Sequence, residues 1–299
     1  VIRRSLLAGV ALALLLGCGG AGRPVSLFVP TPIPENRAVV VIGQDGGQSV
    51  LASVSPVGGD LRRHALLEPN TTVLDVNPDG TAVLLVRDLP EGRGAGLYLL
   101  RLVGSGDLLT RLSDRTLDNV LSARFSPDGN RISGIAIING RSFRVRSRTE
   151  GGDFEASSTT TLTADYLTND EFVAVISDLE SSYPDFDLVL QSDGSQPKIV
   201  GVQRLPVSID GMPGRAVVSG ESGSDDVGLQ RLYAWTFTDN KPVVITSGEH
   251  RDLEPRLSPD GQRVYFVRAG IGLMAVPFSG GPEATLLAGP NVLYTVAGR

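Results

Sequence analysis

The chain has 299 residues, 27 Lys and Arg against 33 Asp and Glu, a formal net charge of −6, two histidines and one cysteine. An acidic balance excludes recruitment of nucleic acid or anionic lipid by charge alone. One cysteine excludes an intramolecular disulfide, and without any H-x-x-H or C-x-x-C spacing a zinc site has no ligand set.

The chain opens on a basic pair, Arg3 and Arg4, followed by an apolar run from Leu6 to Gly17. A helix spanning a bilayer needs about 20 apolar residues, so this shorter run reads as the hydrophobic region of a signal peptide. Leu15-Leu16-Gly17-Cys18 resembles the lipobox of bacterial lipoproteins. The resemblance implies that residues 1–17 are a leader and that Cys18 carries a diacylglycerol anchor. The protein would then sit at the cell membrane or outer membrane, facing the periplasm or the exterior. Residues 18–36 follow as a tether, glycine-rich at its start and stiffened by proline at its end. No second apolar segment long enough to cross a membrane follows.

From residue 37 onward the sequence repeats itself. "VNPDGTAVLLV" (Val76 to Val86), "FSPDGNRISGI" (Phe125 to Ile135) and "LSPDGQRVYFV" (Leu257 to Val267) share one pattern. Weaker copies centre on Glu35, Asp170 and Pro213, giving a period of about 45 residues. Each period carries four short apolar strands punctuated by Gly, Pro and Asp, which is the grammar of a propeller blade. In the last copy they are "EPRLS", "QRVYFVR", "GLMAVPF" and "EATLLA". The S/N-P-D-G unit suits a tight turn: Ser or Asn accepts a local bond, Pro presets φ, Asp tolerates the third position and Gly takes the left-handed fourth. Asp79, Gly80, Asp128, Gly129, Asp260 and Gly261 are therefore assigned to turns, not to catalysis.

"LTRLSDRTLDNVLSARFSPDGNRI" (Leu109 to Ile132) and "VVITSGEHRDLEPRLSPDGQRVYFV" (Val243 to Val267) resemble the TolB-type propeller repeat, as does the Gly-Gly hairpin in "PFSGGPEATLLAG" (Pro277 to Gly289). The resemblance covers about residues 35–299. It departs in placing Val76, Phe125 and Leu257 where that repeat has tryptophan, and no separate N-terminal domain like that of TolB is evident. It implies an all-β, six-bladed propeller of four-stranded antiparallel blades. "NVLYTVAGR" (Asn291 to Arg299) supplies one inner strand, while "RAVVVIG", "QSVLASVS" and "LRRHALL" supply three. Together they complete the first blade and close the ring.

Catalytic constellations are hard to find. His64 falls in the predicted outer strand of the first blade and His250 in the loop before the last. "GESGS" (Gly220 to Ser224) misses the G-x-S-x-G nucleophile elbow and lacks its strand–turn–helix context. Asp185 and Asp187 alternate on one strand face but lack the six or more oxygens calcium takes. No cofactor is expected. What remains is a repeat position four residues before the turn aspartate, occupied by Asp75, Arg124, Tyr166 and Arg256. Charges of both signs recurring there point into a central channel. The sequence therefore predicts a binding or scaffolding module for a protein, peptide or glycan, not an enzyme. The alternative is a small propeller carbohydrate hydrolase or lyase with acidic residues at the channel mouth.

Overall fold

A computed structural model describes residues 29–44, 47–88, 95–103, 108–113, 119–150, 153–177, 185–192, 195–204, 206–221, 229–239, 241–247 and 250–298. The predicted leader, Cys18 and the glycine-rich part of the tether lie outside the described residues, as does the serine-bearing part of "GESGS".

Short aliphatic runs form the strands. β1 (Ala38–Gly43), β2 (Ser49–Val54) and β3 (Arg62–Leu67) are successive antiparallel neighbours. β4 (Thr71–Val76), β5 (Ala82–Asp88), β6 (Ala95–Arg101) and the short β7 (Leu109–Arg111) make a four-stranded meander. β8 (Val120–Phe125), β9 (Arg131–Ile138), β10 (Arg141–Arg148), β11 (Glu155–Tyr166), β12 (Glu171–Ile176), β13 (Asp185–Ser192) and β14 (Lys198–Arg204) join in one seven-stranded sheet. β15 (Pro206–Met212), β16 (Arg215–Glu221), β17 (Gln230–Thr236) and β18 (Pro242–Val244) form the next meander. β19 (Asp252–Leu257), β20 (Arg263–Arg268), β21 (Gly272–Pro277) and β22 (Ala284–Ala288) form the last. The C-terminal strand, β23 (Val292–Gly298), pairs antiparallel with β1, so the first sheet has the order β23-β1-β2-β3.

The architecture is all-β and propeller-like, with four-stranded blades and the first and last described strands in one sheet, as the paired deficits predict. The described sheets are four of four strands and one of seven. The seven-stranded sheet exists because β11 is long. Its first part pairs with β10 (Val145 opposite Ala156) and its second with β12 (Tyr166 opposite Phe172). One strand thus ends one meander and begins the next.

Burial explains the packing. Apolar clusters lie between neighbouring sheets: Val39, Val41 and Leu51 meet Val73, Val83 and Leu85, while Val217, Leu232 and Ala234 meet Val264, Phe266 and Met274. Strands buried on both faces read as continuous aliphatic runs, because each sheet is covered on both sides. The junction across β11 has a smaller apolar cluster of Phe172, Ala174, Ile176 and Val189. There the Arg144 guanidinium stacks 3.5 Å from the Phe172 ring centroid, and the continuous strand supplies main-chain pairing instead.

The S/N-P-D-G units are turns. Gly80, Gly129 and Gly261 have φ of 72°, 74° and 65°, and the Gly129 and Gly261 N–H groups each donate to the carbonyl of Ser126 or Ser258 at 2.8 Å. The aspartates brace the hairpin: the Asp128 and Asp260 carboxylates accept the Ser126 and Ser258 hydroxyls at 2.6 Å. Those hydroxyl bonds hold both carboxyls below the usual carboxylate range.

The end of the predicted tether lies on the propeller. Thr31 N–H donates to the His64 carbonyl at 3.0 Å and Ile33 N–H to the Gly80 carbonyl at 2.8 Å, with the Ile33 side chain buried between β1–β3 and β4–β6. Beneath it is a buried polar cluster. Arg37 Nε donates to Ser53 Oγ at 2.6 Å, and Ser53 Oγ lies 2.7 Å from His64 Nε2.

Candidate functional site

Inner strands β4, β8, β11, β15, β19 and β23 converge on one cavity of about 450 Å³ at the turn-bearing end of the channel. Asp75, Arg124, Tyr166 and Arg256, the four positions picked out by the repeat, all line it. So do Asp165 and Asp210, which the repeat alignment missed. Glu35 and Asn36, from the segment leading into β1, complete its wall.

Alignment on the turn aspartate fails where the turn changes length. Ser126 N–H bonds the Arg131 carbonyl and Ser258 that of Arg263, whereas Leu167 N–H bonds Glu171, one residue sooner. Counting back from Asp170 therefore lands on Tyr166 when the counterpart of Arg124 is Asp165. Between β15 and β16 the hairpin is shorter again, pairing Met212 with Arg215 across Pro213-Gly214, which hides Asp210. Aligning the inner strands by their polar residue would have found both.

These side chains do more than face water. The Asp75 carboxylate accepts the N–H groups of Val76 at 2.8 Å and Phe125, on the neighbouring inner strand, at 2.7 Å. Asp165 repeats this with Tyr166 at 2.9 Å and Gly211 at 2.8 Å, and Asp210 accepts the Leu257 N–H at 2.6 Å. Each aspartate thereby fastens its strand to the next. The arginines work likewise: Arg124 Nη1 donates to the Leu74 carbonyl at 2.5 Å and Arg256 Nε to that of Val296 at 2.6 Å. Arg124 and Arg256 are only 9% and 4% exposed, so they are not freely solvated channel charges. The corresponding place in β23 is Ala297, which carries no charge and lines the cavity.

Looser ion pairs complete the ring, with Arg124 3.9 Å from Asp165 and Arg256 3.8 Å from Asp210 and 3.7 Å from Glu254. Burial pushes the Asp75 carboxyl up to about 6, with Arg124 opposing the rise. Burial and then the neighbouring Asp210 push Asp165 up to about 8. The cavity is thus a mixed-sign polar ring beneath an apolar lip of Val76, Phe125, Tyr166, Met212 and Leu257.

The remaining candidates do not join this site. His64 lies in the outer strand β3, 2% exposed; its Nδ1 lies 3.3 Å from Thr31 Oγ1. Its dyad partner Ser53 is fully buried, so no substrate reaches that hydroxyl. Asp187 is also fully buried, within β13. His250 sits in the loop before β19. Among the described residues no group of three or more His, Cys, Asp or Glu is placed to hold a metal ion.

No protein-family profile and no curated protein sequence matches the chain. Solved structures do match in fold. TolB from Acinetobacter baumannii superposes with a TM-score of 0.68 at 15% identity, over 88% of this chain and 67% of that one. A protein assigned as TolB from Agrobacterium tumefaciens gives 0.59 at 15% identity, over 89% and 94%. The β-propeller domain of the trilobed protease from Pyrococcus furiosus gives 0.57 at 12% identity, over 85% and 86%. That domain has an open velcro topology, whereas here β23 pairs with β1. At these identities the likeness establishes the propeller-like fold.

Proposed function

We propose that this protein is a lipid-anchored, extracytoplasmic six-bladed β-propeller acting as a binding or scaffolding module for a protein, peptide or glycan at the cell envelope. The contact surface is the turn-side mouth of the channel. The count of six takes β11 as two strands, one per meander, and accords with six inner strands reaching one cavity. The anchor rests on Leu15 to Cys18.

One observation carries the binding role. The three carboxylates facing the cavity already accept main-chain N–H groups from neighbouring strands, which makes them parts of the wall and leaves a rigid polar floor under an apolar lip. Such concave, preformed surfaces with a few fixed polar groups are what ligands dock into. The enzyme reading draws on Asp165, raised beside Asp210, since a carboxyl that keeps its proton near neutral pH can act as a general acid. Their commitment to backbone amides weighs against it.

Cross-linking in native membranes followed by isolation of the full chain tests the binding role. Glu35 lies exposed on the rim, so Glu35→Lys alters the surface without touching the core. The expected result is a defined partner with the wild type, much reduced with Glu35→Lys at unchanged melting temperature. Equal recovery with both would remove the turn-side mouth from consideration.

A further inference from the structure

The other end of the channel carries a feature that the turn-side site does not use. Each inner strand departs from regular pairing at a β-bulge, and in four of them the bulge falls near the strand's start. The ladder steps from Val120 to Ser122, from Thr161 to Thr163, from Pro206 to Ser208 and from Val292 to Tyr294. The residues skipped are Leu121, Leu162, Val207 and Leu293. They are exposed by 55%, 37%, 47% and 49%, among the most exposed large apolar side chains described. A bulge re-aims the side chain it carries, and here it turns aliphatic groups out of the sheet in four separate strands.

The same place in the other two inner strands holds Thr72, opposite Val86, and Leu253, opposite Val267. Five of the six positions around this mouth are therefore aliphatic, and none is charged. Scattered exposed leucines need no explanation, but recurrence at one structural position does.

Behind this rim the charge is unbalanced. Glu254, next to Leu253, has φ of 48° and a side chain 37% exposed. With Asp75 and Asp210 it makes three carboxylates against the two guanidinium groups of Arg124 and Arg256, since Asp165 is raised to about 8, while Ala297 leaves the sixth place neutral. An occupant complementary to both layers is apolar at the rim and cationic at its tip. A lysine, with a four-carbon stem and a terminal ammonium, has this form.

We propose that the channel mouth opposite the S/N-P-D-G turns is a docking surface for a partner polypeptide segment that presents a lysine between aliphatic side chains. The rim binds the aliphatic groups and the ammonium points toward Glu254. This surface is separate from the turn-side mouth.

Fluorescence anisotropy of the full chain with two labelled, acetylated peptides tests it, Leu-Val-Lys-Leu-Val and Leu-Val-Glu-Leu-Val. The lysine peptide should bind at least about tenfold tighter than the glutamate peptide. The double variant Leu121→Ser with Leu293→Ser should weaken it at least about tenfold, and Glu254→Gln should narrow the difference between the peptides. Val243→Ser, on the outer strand β18, should change nothing. Because the altered rim side chains are exposed, unchanged melting temperatures are expected and checked. No binding of the lysine peptide, equal binding of both peptides, or full binding by the double variant would each overturn the proposal.

Discussion

Asp75 and Asp260 show how one residue type takes opposite roles within a single repeat. Asp260 lies exposed in its turn, and the Ser258 hydroxyl holds its carboxyl low. Its contribution is present at neutral pH and is lost as the pH falls through the lowered value. Asp260→Ala should cost about 1 kcal/mol in denaturant unfolding at pH 7, the worth of a local hydrogen bond. Asp75 is the reverse case. Its carboxyl is raised to about 6 by burial, so its contribution is fully present below the unfolded value near 3.8 and is lost as the pH rises through about 6. The stability difference between wild type and Asp75→Asn should therefore move in favour of wild type as the pH is lowered from 7 to 5. A difference that is flat, or that moves the other way, would show that Asp75 is not held in this environment. For Arg124→Ala the lost bond to the Leu74 carbonyl predicts a cost of about 1–3 kcal/mol, measured the same way.

At the scale of elements, the turns were legible because Pro and Gly fix backbone geometry locally, and that signal survives in three copies. The position of Asp165 was not, since a turn closing one residue sooner shifts the count without any mark in composition. The length of β11 was equally hidden: nothing in "EASSTTTLTADY" distinguishes one continuous strand from two separated by a bend. The docking of residues 29–36 was masked by a proline-rich composition that also suits a free tether. Their attachment passes through His64, whose imidazole burial holds below its ordinary value, with Arg37 adding to that effect. A lowered histidine contributes stability that is present above about 6.5 and lost as the pH falls through the folded value. The protection factor of the Thr31 amide, which bonds the His64 carbonyl, should fall on acidification through this range. A protection factor that stays unchanged there would detach this segment from His64. Closure is the other element-level claim. Deleting residues 291–299 removes the strand paired with β1 and exposes unpaired edges, which invite association. The truncated protein should melt lower and self-associate; a monomer with an unchanged melting temperature would contradict the closing role of β23.

For the whole molecule, the sequence conveyed the repeat and its four-stranded blades because each is written several times over, and the pairing of β23 with β1 because the two deficits complement each other. It could not convey that the ring's charges bond neighbouring main chains, which depends on a spacing between blades that no single strand encodes. That double role gives the account its centre: the inner ring bonds neighbouring strands together and leaves a preformed turn-side cavity, which we propose a partner occupies. Cys18→Ser should release the protein from membranes with its melting temperature unchanged, and metabolic lipid labelling of wild type should be lost in that variant. The most direct measurement is photo-cross-linking in native cells from a benzophenone placed at Glu35 or Pro127 on the turn-side rim, against one at Val243 on the outer edge. The account predicts one discrete adduct, of the same mass from both rim positions and absent from Val243; an adduct from Val243 with none from either rim position would contradict it.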